Sequence, residues 1–159
     1  MEPTRPANQR AIPIALIVLT LALVAGRVAW SLMKRPAPKV GLIEWVEPSK
    51  AMALARESNK KILYDFTADW CQPCHLLDAE VFGDPALAAR ISEEFIAVRV
   101  VDRQQEEGRN PAAVEALQRQ YGVRGFPTVV FADSSGAEQA RMEGFGGRQV
   151  FEQIMGQVR

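Results

Sequence analysis

The chain has 159 residues, 19 Lys+Arg against 19 Asp+Glu, 48% hydrophobic residues and two cysteines. A chain without basic excess argues against nucleic acid as its partner. The balance is uneven along the chain: residues 1–39 carry six Lys/Arg and one acid (+5), leaving thirteen Lys/Arg and eighteen acids (−5) for residues 40–159. A basic stem on a mildly acidic domain suits a membrane surface.

A polar tail (1–10) leads into residues 11–26, AIPIALIVLTLALVAG, which carry no charge, and apolar character resumes after Arg27 with VAWSLM. Taken as 11–33, the stretch meets the roughly 20 residues that a spanning helix needs, with Arg27 reaching toward the interface and Trp30 as an interfacial anchor. A cleaved signal peptide ending near Val24-Ala25-Gly26 is the rival reading. Lys/Arg flank the far side of the span more heavily than the near side, which by the positive-inside rule would keep the following domain cytoplasmic. A short tail, one anchor and a catalytic domain is nevertheless a common exported layout, and the exported (periplasmic) side of a bacterial inner membrane is the expected one. Residues 34–40, KRPAPKV, form an extended Pro-rich linker.

Residues 41–159 are the right size for one domain. Ser49 is the expected N-cap of a helix over KAMALARESN, and 61–67, KILYDFT, reads as a buried strand ending at the cysteines. A redox helix is expected from Cys71 toward Phe82, and Asp84-Pro85 caps ALAARISEEF. FIAVRVVD (95–102) is a strand, RQQEEGRN (103–110) a loop, and Asn110-Pro111 caps a helix through Tyr121. TVVFAD (128–133) and AEQARMEG (137–144) form a hairpin about Ser134-Ser135-Gly136, and an amphipathic helix ends the chain. Strands alternating with helices predict an α/β sandwich around one mixed sheet.

The chemistry concentrates in Trp70-Cys71-Gln72-Pro73-Cys74, which holds both cysteines. Sulfurs three positions apart at a helix start can close a small disulfide ring, and with a β-run leading into them they read as a thioredoxin-like redox motif. The helix start favours a thiolate, so Cys71 is the expected nucleophile and Cys74, one turn inside, the resolving thiol. No second Cys/His pair completes a zinc site, so no metal is expected. Cys71-Gln72-Pro73-Cys74-His75 also satisfies the C-x-x-C-H pattern of c-type haem, with Met142 or Met155 as imaginable axial ligands. The preceding β-run, the proline and the α/β pattern argue against haem, leaving the disulfide as the only redox group expected. His75, the single histidine, is then a partly exposed neighbour whose charge could tune Cys71.

KKILYDFTADWCQPCH, followed about fifty residues later by YGVRGFPTVVF, resembles the thioredoxin superfamily over roughly residues 43–158. DFTADWC, VFGDPALAARISEEFIAVRVVD, GFPTVVFADSSGAE and the late EGF are most similar to the thioredoxin-like C-terminal domain of the DsbD family of bacterial thiol:disulfide interchange proteins. The resemblance implies a thioredoxin fold. It also implies that Asp65 is the buried acid that moves the proton of the resolving cysteine, an acid whose burial among Leu63 and Phe66 would raise its pKa. Pro127 would be the cis-proline facing the dithiol, exposing the Phe126 backbone to a substrate strand. Trp70 would shield the dithiol. Gln72 departs from the glycine of thioredoxins, so Gln72 and Pro73, with His75, are expected to set the redox poise.

The expected function is a membrane-anchored thiol:disulfide oxidoreductase reducing disulfides of exported proteins. With one predicted span, it would draw electrons from a separate membrane protein. Runners-up are a cytochrome c maturation reductase and a disulfide oxidase or isomerase; a thioredoxin-fold chaperone or binding module, with an incidental dithiol, belongs to another class.

Overall fold

The computed structural model describes residues 41–158 and the isolated helical positions Val18, Thr20, Leu23, Gly26 and Arg27. Apart from those five positions, the tail, the predicted anchor (11–33) and the linker lie outside the described residues. Among the described residues no helix is long and apolar enough to cross a membrane.

The buried run at 61–67 is the central strand of the domain. β1 (Lys61–Ala68) pairs in parallel with β2 (Phe95–Asp102) and antiparallel with β3 (Thr128–Ala132), which carries the edge strand β4 (Glu138–Glu143). The resulting order is β2-β1-β3-β4. Helices cover both faces, which is why β1 is apolar on successive residues rather than alternate ones. Ile62, Tyr64 and Phe66 belong to one core cluster with Ala51, Ala55 and Tyr121. Leu63 faces the other way, into a cluster with Leu77, Val81, Phe82 and Phe151. With a side-chain period of two, Asp65 falls on the Leu63 face, beneath the redox helix.

The first helix of the domain, α1, runs Pro48–Ser58, with Glu47 in the N-cap position and no side-chain cap. Ser49 is therefore inside the helix, not its cap: Pro48, whose fixed φ suits the first turn, sets the start instead. The redox helix is not a continuous α-helix to Phe82. α2 (Gln72–Leu77) passes into a π-helical turn (Asp78–Phe82), closed by Gly83 N–H donating to the Asp78 carbonyl at 2.7 Å. A Cβ on Gly83 would stand 3.0 Å from the backbone oxygens of both Ala79 and Asp78. Neither oxygen can rotate away, so Gly83→Ala should lower stability by about 1–3 kcal/mol, read from its urea midpoint, and disturb Asp78.

Asp84 caps α3 (Pro85–Glu94) as expected, its Oδ1 accepting from Leu87 N at 2.9 Å. The 103–110 stretch is not wholly irregular: Gln104–Glu107 forms a one-turn helix, α4, ended by Gly108 at φ 72°. Asn110 does not cap the next helix. Its Oδ1 accepts from Arg103 N at 2.6 Å and its Nδ2 donates to Asp102 at 2.6 Å, so Pro111 precedes α5 (Ala112–Gln120). The hairpin and the terminal helix, α6 (Arg148–Gln157), form as predicted.

Candidate active site

β1 ends at Ala68 and the chain turns through Asp69 and Trp70 to deliver Cys71 to the N-cap of α2. The Cys71 and Cys74 sulfurs are joined, with 5.3 Å between the Cα atoms. Cys71 Sγ also accepts the Cys74 N–H at 3.2 Å. A donor aimed at this sulfur strengthens when the sulfur becomes an anion, which favours Cys71 as a thiolate once the bond is reduced. Both cysteines are only 2% exposed.

Trp70, by contrast, is 49% exposed. Its ring meets Phe126 edge-on, centroids 5.9 Å apart, and Phe126 packs against the cluster of Ala68, Cys71 and Cys74. The Phe126–Pro127 peptide is cis. Gly144 N–H donates to the Pro127 carbonyl at 2.8 Å, and Thr128 Oγ1 donates to the Gly125 carbonyl at 2.8 Å. Gly144, from the late EGF motif, holds φ 74°, a conformation natural to glycine. An aromatic pair and a pinned loop thus border the sulfurs.

Gln72 and Pro73 are exposed in the first turn of α2, where a proline costs no hydrogen bond. His75 is exposed as well, and its Nε2 lies 3.1 Å from the Asp69 carbonyl. A carbonyl only accepts, so that nitrogen carries the proton. The imidazole thereby ties the helix to the turn that carries Trp70. Met142 and Met155 are both buried in the core, and the two sulfurs of the C-x-x-C-H motif are joined to each other. Among the described residues no cluster of three or more His, Cys, Asp or Glu could hold a metal ion.

On β1, three residues before the strand ends, lies Asp65, 1% exposed. The parallel register of β1 and β2 sets it beside Arg99, whose Nε donates to Asp65 Oδ2 at 2.9 Å. The other edge of the guanidinium donates to Asp78 Oδ1. Asp65 Oδ1 is buried without a hydrogen-bond partner. Burial pushes the Asp65 carboxyl up to about 7, against the pull of Arg99 and with a further push from Asp78. A carboxyl poised there takes up or gives up a proton near neutral pH.

The sequence motifs place Cys71, Cys74, Asp65, Trp70, Phe126 and Pro127. The fold packs Phe126, next to cis-Pro127, against the cluster that holds both cysteines and against Trp70, and ties Asp65 through Arg99 to Asp78, just beyond the redox helix. Arg99 and Asp78 escape the motifs. Two signals were there to find: Arg99 is the one charge amid FIAVRVV, and Asp78 lies four residues after Cys74, on the same helical side. A buried acid also demands a nearby cation.

A buried carboxyl beneath the redox helix accompanies two sulfurs that can open, and an opened pair exchanges two electrons with another sulfur pair. The molecule is a thiol:disulfide oxidoreductase. The chain belongs to the thioredoxin-like domain family, whose model matches residues 48–159. It is 36% identical over 101 residues to the thiol:disulfide interchange protein DsbD of Vibrio vulnificus (strain CMCP6), covering 62% of this chain and 16% of that protein. The chain therefore spans about a sixth of that relative's length. The oxidised DsbD C-terminal domain of Neisseria meningitidis is 25% identical with a TM-score of 0.53, covering 68% of this chain and 89% of the other. A DsbH oxidoreductase shares the fold at a TM-score of 0.64 and 22% identity, covering 79% and 92%.

Proposed function

We propose that the chain is a membrane-anchored reductase of disulfides in exported proteins, its domain on the periplasmic side of a bacterial inner membrane. The observation that carries the reading is the buried Cys71–Cys74 couple, and the buried Asp65 on the strand that leads to it supports it. In the reduced protein, Cys71 thiolate attacks one sulfur of a partner disulfide, forming a mixed disulfide, and the partner's other sulfur leaves as thiolate. Cys74 then yields its proton to the Asp65 carboxylate and attacks Cys71 Sγ. The intramolecular disulfide closes and the partner's second sulfur leaves, so two electrons have passed from the dithiol to the partner.

Trp70 and Phe126 give an extended partner segment an apolar rim, and the backbone beside Pro127 gives it hydrogen bonds. Gln72, Pro73 and His75 tune the couple. The cycle needs no cofactor beyond the two sulfurs. A membrane dithiol protein restores the reduced state by the reverse exchange. The basic stem and the apolar stretch 11–33 support the anchor, and the DsbD likeness supports the exported side.

The test joins two measurements on the full chain: C-terminal reporter fusions for sidedness, and alkylation trapping of the cysteines in growing cells. The reading expects an exported C-terminus and a mostly reduced pair at steady state. A cytoplasmic C-terminus or a mostly oxidised pair contradicts it.

A further inference from the structure

We infer that Trp45 is a positioning residue of the exchange reaction, holding the Arg99 guanidinium between Asp65 and Asp78. Arg99 uses one edge for Asp65 and another for Asp78, and its flat face lies on the Trp45 ring, 4.0 Å from the centroid. Edge contacts alone leave a guanidinium free to tilt; a stacked face removes that freedom. Trp45 is itself fixed on two sides. It bridges to Ala97 on the free edge of β2, with Val46 N–H donating to the Ala97 carbonyl at 2.8 Å, and its ring meets Phe82 at 5.0 Å in a T.

Beside this stack is a cavity of about 270 Å³, lined by Leu42, Trp45, Asp78, Phe82 and Arg99 among others. Arg99 is 26% exposed along its side chain, so a guanidinium released from the indole has both room and water to move into. Asp65 would then lose the cation that opposes its burial. The charged groups facing Arg99 are Asp65 from β1 and Asp78 from the π-helical turn. Glu44, on the same segment as Trp45, is exposed and borders a different hollow. On β3 the neighbour of Asp65 is the apolar Val129. The balance at Asp65 therefore rests on Arg99, and the orientation of Arg99 on Trp45 as the nearer ring, with Phe82 at 5.5 Å as the farther one. The segment that precedes the first helix thus belongs to the redox machinery.

This inference rests on Asp65 being the proton acceptor of Cys74. The experiment measures release of a mixed disulfide against pH, in single turnover, for the full chain in detergent. Trp45→Leu and Trp45→Phe are compared with the wild type, each also in the Asp65→Asn background. Loss of the stack keeps the Asp65 proton on to higher pH, so Trp45→Leu should raise the midpoint by about half a unit to one unit. Trp45→Phe, which keeps a smaller π-face, should fall between. Neither variant should shift the profile when Asp65 is Asn.

A Trp45→Leu profile superimposable on the wild type, or an equal shift in the Asp65→Asn background, overturns the role of Trp45. Should Trp45→Leu fail to fold by thermal melt, Trp45→Phe decides alone, an upward shift supporting the role and an unmoved midpoint overturning it. If Asp65→Asn by itself leaves the profile unchanged, the proton-acceptor reading fails and this inference falls with it.

Discussion

Cys74→Ser halts the exchange cycle at the mixed disulfide, and Cys71→Ser prevents it from starting. The two variants remove the same amount of sulfur from the same buried site, yet they should fail in different ways. Cys71 is the helix N-cap, and its sulfur already accepts a backbone N–H that a thiolate would hold more strongly. Without it no attacking group remains, and turnover on a protein disulfide should fall by several orders of magnitude to the uncatalysed background. Without Cys74 the first attack still occurs, but the adduct lacks its internal exit. A covalent complex with partner proteins should then accumulate, visible on non-reducing gels and dissolved by dithiothreitol. A Cys71→Ser variant that still turns over, or adducts attached through Cys74 instead, would reverse the assigned roles. Retained biological function in the double Cys→Ser variant would favour a binding or chaperone module.

Asp65→Asn should slow the second half of the cycle while making the folded protein more stable at alkaline pH. Burial raises the Asp65 carboxyl to about 7, from an ordinary value near 4. The folded state therefore binds this proton more tightly than the unfolded chain does. The contribution to stability is complete below about pH 4 and is lost as pH rises through about 7. Above that range a buried charge remains, held against its desolvation by Arg99. Asn keeps an acceptor for Arg99 without the charge, so the variant should exceed the wild type at pH 8 by at most about 4 kcal/mol, with the advantage fading toward pH 4. Chemical denaturation at the two pH values checks this.

In catalysis the sign is opposite. A carboxylate that accepts the Cys74 proton is worth about a hundredfold, and it is available only above its own pKa. Release of the partner by the wild type should accordingly slow as pH falls below about 7, and Asp65→Asn should abolish that dependence. A variant that is both less stable at pH 8 and unchanged in rate would show that Asp65 is only a structural partner of Arg99.

The motif residues were legible in the sequence because their chemistry is local. Cys71 and Cys74 share one helical turn, and KILYDFT declares a buried strand through continuous apolarity, with one acid whose burial follows from its neighbours. Pro127 and Trp70 came through resemblance rather than from physics. What the sequence hid depends on register. Arg99 meets Asp65 only because β1 and β2 pair residue for residue over 34 positions of separation, and nothing local in FIAVRVVD says which residue it will face.

Trp45 is more hidden still, since its stack on Arg99 requires a short segment to lie along the free edge of β2. The errors at Ser49 and Asn110 share one cause. Both are good capping residues, but a proline beside each set the helix start, and Asn110 was more useful bridging Asp102 and Arg103. The π-helical turn leaves the helical apolar pattern almost intact, so it shows only as the hydrogen bond from Gly83 to Asp78.

Whether the protein works as a reductant is decided most directly by the equilibrium potential of the Cys71/Cys74 couple, measured on the full chain in graded dithiothreitol or glutathione buffers. A reductase of exported proteins should lie near thioredoxin, at roughly −270 mV. A value near about −120 mV, where the disulfide is the unstable form, would make the protein an oxidant and contradict the proposed direction of electron flow.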